Sequence, residues 1–268
     1  MPIEVVYERR GQGSPLVLLH GIGHRWQAWE PVLDLLAMRH EVIAVDLPGF
    51  GRSPLVPDRE YDMPGAVELA AEMFAQLGLS RPHVAGNSLG GVLSLELASQ
   101  GLVRSATALA PAGFWTARDR AWALGVLTAM RYSGRAPSRI RSAVVNRKLT
   151  RLLGASMLYG RPSRLTAELL LADLDAFVAA PGFDIVARAG RGYVYASPAP
   201  TVPVTVAWGS RDRILWPRQA RRAAELLPAA QHVLLKGCGH IPMTDDPDRV
   251  AALILDTCAQ AEPADAAA

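Results

Sequence analysis

Lysine is nearly missing from this 268-residue chain. Of its 28 basic residues only Lys148 and Lys236 are lysines, and all the others are arginines. The net charge of +3 therefore reflects an arginine bias more than a lysine-rich binding tail. Aromatics make up only 6% and do not interleave with a basic stripe, which argues against a nucleic-acid binder. Cysteine is also scarce: Cys238 and Cys258 stand alone, too few for a disulfide-stapled scaffold. No apolar run nears the roughly 20 residues needed to span a bilayer. Met1-Pro2-Ile3-Glu4 lacks the basic start and apolar stretch of a signal peptide. These absences lead us to expect a soluble, cytoplasmic protein with two free thiols and no membrane span.

What is present points to a folded domain. Half the residues are hydrophobic and a fifth are charged, which is enough apolar surface to offset the entropy of ordering. The length suits one large α/β domain or a core carrying an inserted lobe. Val17-Leu18-Leu19, Val42 to Val45, His83-Val84-Ala85, Ala106 to Leu109, Val204 to Ala207 and His232 to Leu235 are short apolar runs. Such runs mark parallel strands buried on both faces. Helical stretches separate them, notably Met63 to Leu77 and Leu89 to Gln100, so a mostly parallel sheet flanked by helices is expected. Val5-Val6-Tyr7 is expected to open the sheet as an antiparallel edge.

The alternation stops between about 114 and 200. Helical spacing takes over there, with Leu165, Leu169, Leu170, Leu174, Phe177 and Val178 expected on one face. The expected organisation is a core of residues 1–113 and 201–261, a helical insertion over 114–200 roofing the site, and a disordered Ala-rich tail over 262–268. Between Phe114 and Arg151 nine cations (Arg118, Arg120, Arg131, Arg135, Arg139, Arg141, Arg147, Lys148, Arg151) face one acid, Asp119. Such a lobe either steers an anionic substrate or presents solvated helix faces and contacts to an acidic core.

The chemistry centres on Gly86-Asn87-Ser88-Leu89-Gly90, a G-x-S-x-G pattern between an expected strand and an expected helix. A serine on so sharp a turn presents its hydroxyl, and the following helix start aims free N–H groups at developing negative charge. A serine needs a base, and that base needs an orienting carboxylate. His240 follows the last expected strand in Gly237-Cys238-Gly239-His240, and Asp212 follows another in Trp208-Gly209-Ser210-Arg211-Asp212. Ser88, Asp212 and His240 occur in the chain order of the α/β-hydrolase triad. The alternative is that Asp212 pairs with Arg211 or Arg213 and another acid orients His240. Cys238 reads as a small packed residue. A serine triad needs neither metal nor organic cofactor, and none is expected; the histidines and two cysteines show no zinc-ligand spacing.

These motifs, together with His20-Gly21-Ile22-Gly23 and Asp46-Leu47-Pro48-Gly49-Phe50-Gly51-Arg52-Ser53, resemble the α/β-hydrolase superfamily in its cap-bearing, esterase-like branch. The resemblance covers nearly all of the chain outside the insertion. It implies that the backbone N–H groups of Ile22 and Leu89 form the oxyanion hole. His20 is read as a brace for that loop. His24 reads either as a pocket residue or as a solvated loop histidine, and Trp115 either as packing or as pocket wall. The expected function is a serine hydrolase acting on a small or medium carboxylic ester through an acyl-enzyme on Ser88. The small-molecule substrate is expected to be an acyl compound, with an anionic one as an option, and the chain a monomer or homodimer. Having serine where dehalogenases and epoxide hydrolases use aspartate removes those branches. Carbon–carbon bond hydrolases commonly place tryptophan after the histidine, where Ile241 stands. That class remains an alternative, as do thioesterase and lactonase activity and a ligand-binding receptor on the same fold.

Overall fold

The six apolar runs and a charged edge segment form seven strands in the computed structural model, which describes residues 3–262. They are β1 (Tyr7–Arg10), β2 (Pro15–Leu19), β3 (Glu41–Val45), β4 (His83–Asn87), β5 (Ser105–Leu109), β6 (Val204–Gly209) and β7 (Gln231–Leu235), in one sheet of order β1-β3-β2-β4-β5-β6-β7. All neighbours run parallel except β1 and β3. The edge strand lies later than its apolar lead-in suggests, pairing Tyr7 with Val45 and Arg10 with Val42. Charge secures it: Arg9 pairs with Glu41, and Arg10 with Glu8, Glu30 and Asp34. Hydrophobicity finds this antiparallel edge but sets it two residues early, because most of the paired residues are themselves charged.

Alternation within each strand sorts its side chains onto two buried faces. Leu16, Leu18, Val42 and Ala44 pack on one side, against Val32, Leu36 and Ile254 of α1 (Glu30–Ala37) and the C-terminal helix Pro247–Ala259. Val17, Leu19, Ile43 and Val45 pack on the other, with Val67, Met73, Val92 and Leu95 of α2 (Met63–Gln76) and α3 (Leu89–Ser99). Burial on both faces is what makes these strands read as unbroken apolar runs.

The strand order reverses at β2: the chain goes to β3 on one side and then returns to β4 on the other. Ligands bind outside the carboxyl ends of strands at such a switch point, which here is the ends of β2 and β4.

Between β5 and β6 come α4 (Ala117–Gly134), α5 (Ser138–Asn146), α6 (Lys148–Ala155), α7 (Ala167–Ala179) and α8 (Phe183–Gly190), with no strand among them. Then follow α9 (Arg218–Leu226), α10 (Pro242–Asp245) and α11, the Pro247–Ala259 helix. The expected apolar face of α7 is only partly realised. Leu165 is buried but precedes the helix, and Leu169 is exposed. The helix packs against α4 and α5, and Leu169 on its outer side meets solvent.

Asp119, the one acid of the basic segment, fastens this insertion. It closes the capping box of α4 with Thr116 and takes ion pairs from Arg218 and Arg222 of α9. Burial alone would raise its pKa, but the Thr116 N–H and the two guanidiniums hold it well below the usual carboxylate range. Glu262, placed by its sequence in the expected tail, instead accepts a 2.8 Å hydrogen bond from His83 Nε2. The rest of that tail, 263–268, lies outside the described residues. Among the described residues no helix is long and apolar enough to cross a membrane.

Candidate active site

Ser88 sits at the turn between β4 and α3 with φ 56° and ψ −110°, a conformation rarely adopted by a residue with a side chain. The surroundings over-determine it. The Ser88 N–H donates to Leu109 O at 2.9 Å, while a Cβ on Gly86 would stand 2.0 Å from Gly90 O. A Cβ on Gly90 would stand 2.0 Å from Leu19 O, so the turn closes only with glycine at both positions. Strain held this way is characteristic of functional sites.

The loop after β2 approaches from the other side: a Cβ on Gly21 would lie 3.3 Å from Ser88 Cβ. His20 shapes that loop. Leu47 N–H donates to His20 Nε2 at 3.0 Å, so Nδ1 carries the proton and donates to Gly21 O at 2.7 Å. Burial pushes the His20 pKa down to about 3, keeping the ring neutral for this double role. Among the described residues, the N–H groups of Ile22 and Leu89 have no acceptor. Leu89 is the first residue of α3, where free amides and the positive end of the helix dipole coincide.

Asp212 and His240 come from the loops after β6 and β7, and both are buried. His240 Nδ1 donates to Asp212 Oδ2 at 2.8 Å. The other carboxylate oxygen accepts from Ile214 N at 2.9 Å and Leu215 N at 2.8 Å. Arg211 and Arg213 do not pair with it; they reach Gly160 O and Ser156 instead. Ser88 and His240 line one cavity. No hydrogen bond joins them among the described residues, and such contacts often tighten only around substrate.

Two residues that sequence reasoning missed hold the His240 loop. Asn87 Nδ2 donates to His240 O at 2.9 Å and to Leu109 O at 3.1 Å, linking the serine turn to the histidine. The buried Asp245 carboxylate accepts from Gly239 N, Gly160 N and Arg161 N, tying that loop to the segment after α6. His240 N–H itself donates to Leu158 O of that segment at 2.6 Å. Asn87 lay inside the motif, where an amide beside the serine was the available signal. Asp245 gave no local signal, since its partners Gly160 and Arg161 are far away in sequence.

Two chambers meet at Ser88, with Ile22 and Leu127 also common to both. The larger, about 330 Å³, runs between α2, α4 and α8 and includes Trp115, whose indole N–H donates to Tyr193 O. The smaller, about 90 Å³, includes His24, His240, Tyr159 and Phe177. His24 Nε2 stands 4.0 Å from Asp173, and burial lowers its pKa against the pull of that carboxylate. None of the nine cations of the basic segment lines either chamber. Cys238 and Cys258 are buried and free, and burial raises their thiols to about 11 and about 12. Among the described residues no group of three or more His, Cys, Asp or Glu side chains is placed to hold a metal ion.

The profile of the Alpha/beta hydrolase family matches residues 16–253. A pimeloyl-[acyl-carrier protein] methyl ester esterase of Aeromonas hydrophila is 43% identical over 96 residues, 36% of this chain and 36% of that protein. The match thus spans about a third of that relative's length. An uncharacterized protein of Mycobacterium tuberculosis is 28% identical over 275 residues, covering 95% of this chain and 78% of its own. Among solved structures, an esterase from Rhodococcus sp. superposes with TM-score 0.76 at 25% identity, covering 98% of this chain and all of that one.

Proposed function

Because the chain belongs to the Alpha/beta hydrolase family, we propose that it is a serine hydrolase cleaving carboxylic esters through an acyl-enzyme on Ser88. The observation that carries this reading is the buried 2.8 Å His240–Asp212 hydrogen bond, facing the same cavity as a serine held at φ 56°. In this reading His240 Nε2 takes the Ser88 proton as Oγ attacks the carbonyl carbon. Asp212 fixes the tautomer that leaves Nε2 free and stabilises the imidazolium that forms. The Ile22 and Leu89 N–H groups receive the oxyanion, a donor of this kind being worth about 3 kcal/mol. His240 then protonates the leaving oxygen, and a water activated by the same ring cleaves the acyl-enzyme. The named esterases of partial or low similarity agree with ester chemistry.

The experiment is hydrolysis of p-nitrophenyl esters by the wild type and by Ser88→Ala at equal concentration. Turnover in the wild type that vanishes in the variant is expected. Equal rates in both would remove Ser88 as the nucleophile. If neither turned over, ester chemistry would give way to carbon–carbon substrates or to a binding role.

A further inference from the structure

The two chambers are unequal, and His240 lines only the smaller. Resting on the serine-hydrolase reading above, we propose that the chambers divide the substrate. The larger takes an uncharged acyl chain and the smaller takes a short alcohol, so the preferred substrates are small-alcohol esters of medium-chain apolar acids.

Proton bookkeeping fixes the orientation. When the acyl-enzyme forms, the Ser88 Oγ–carbon bond is made and the carbon–alkoxy bond breaks, and the departing oxygen takes its proton from His240 Nε2. That oxygen must therefore come within about 3 Å of the ring. The alcohol accordingly lies on the side His240 faces, in the 90 Å³ chamber. The carbonyl oxygen turns toward the N–H groups of Ile22 and Leu89. The remaining substituent, the acyl chain, is left the direction of the 330 Å³ chamber, which Leu89 lines and His240 does not.

Size and polarity then define each part. The small chamber holds on the order of three water-sized groups, which suits an alcohol of about one to three carbons. The large chamber is walled by residues such as Leu69, Met73, Leu93, Leu124, Val186 and Ile214. Apart from Ser88, each of its polar side chains holds a bond within the protein. Tyr61 Oη accepts from Val56 N, Asp62 Oδ1 accepts from Gly65 N, and Tyr193 Oη donates to Glu96. A carboxylate on the acyl tail would meet no cation there, since neither an arginine nor a lysine is among the residues lining the chamber.

The test is kcat/KM for two ester series on the full chain, each corrected by the Ser88→Ala rate. Across methyl esters from acetate to octanoate, kcat/KM should rise about fourfold per added methylene until the chamber fills. Across hexanoate esters from methyl through isopropyl to benzyl, it should fall at least tenfold. Two substitutions on the insertion separate the chambers, one at Val186 in the wall of the larger and one at Leu170 in the wall of the smaller. Val186→Trp should lower the octanoate-to-acetate ratio at least tenfold, and Leu170→Trp should lower the benzyl-to-methyl ratio by a similar factor. Because each readout is a ratio between two esters, general loss of folded enzyme moves neither. A Ser88-dependent profile flat in acyl length, or a reversed pattern for the two variants, would overturn the division while leaving the serine mechanism standing. Hydrolysis that does not depend on Ser88 for any ester would overturn that mechanism and the division with it.

Discussion

Replacing Asp212 by asparagine separates its chemical role from its structural one. Oδ1 accepts from the buried N–H groups of Ile214 and Leu215, and Oδ2 accepts from His240 Nδ1. An asparagine can keep the first two bonds with its own carbonyl oxygen. Its amide NH₂ then faces His240, so the ring must accept at Nδ1 and carry its proton on Nε2. In that tautomer it cannot take the Ser88 proton, and a loss of roughly 10⁴ in kcat is expected. By transition-state arithmetic that is about 5 kcal/mol, while the fold is nearly unaffected. Asp212→Ala removes the acceptor altogether and leaves two buried amides unpaired, at about 1–3 kcal/mol each. Its Tm should fall by roughly 10 °C at the usual few degrees per kcal/mol.

The assay is steady-state hydrolysis of a p-nitrophenyl ester beside thermal unfolding for wild type, Asp212→Asn, Asp212→Ala and Ser88→Ala. Activity of Asp212→Asn within tenfold of wild type would refute the tautomer argument. Melting of the asparagine variant as low as the alanine variant would show that its loss is structural.

Other outcomes follow from the same geometry. Ser88→Gly should lack turnover, yet melt above Ser88→Ala by about 1 kcal/mol, because glycine relieves the positive φ at that turn. Asp245→Ala should lose at least about 3 kcal/mol in denaturant unfolding, since three N–H groups from Gly239, Gly160 and Arg161 lose their acceptor. Because His20 is neutral in the fold down to about pH 3 but protonates near 6.5 when unfolded, the unfolded state binds more protons between those values. Stability should therefore fall by several kcal/mol as pH drops from about 6.5 to about 3. His20→Gln should flatten that part of the pH–stability curve.

What the sequence made legible was whatever has a local backbone cause. The strands read as apolar runs because both faces of the sheet are covered. The serine turn read as a motif because Gly86 and Gly90 each pass within 2.0 Å of another backbone oxygen once a Cβ is imagined. Asp212 and His240 were visible because each closely follows a strand, His240 in a loop rich in glycine. What was not legible depends on partners distant along the chain. The ladder of β1 rests on charge pairs to Glu30, Asp34 and Glu41 rather than on apolar pattern. Asp245 satisfies an insertion segment more than eighty residues upstream.

The insertion shows the limit most sharply. The nine cations of its first part, Phe114 to Arg151, suggested a charged approach to the site, but a count of charges carries no direction. Arg131, for example, points inward and donates to the carbonyls of Phe177 and Ala180, so it clamps α7 instead of meeting substrate. The informative residue in that stretch was its single acid. A lone carboxylate among many guanidiniums has little reason to be there unless it is buried and paired. Asp119 is both, and the arginines it holds belong to α9 of the core rather than to its own segment. Composition could mark Asp119 as the exception; only the fold could say that it is the anchor.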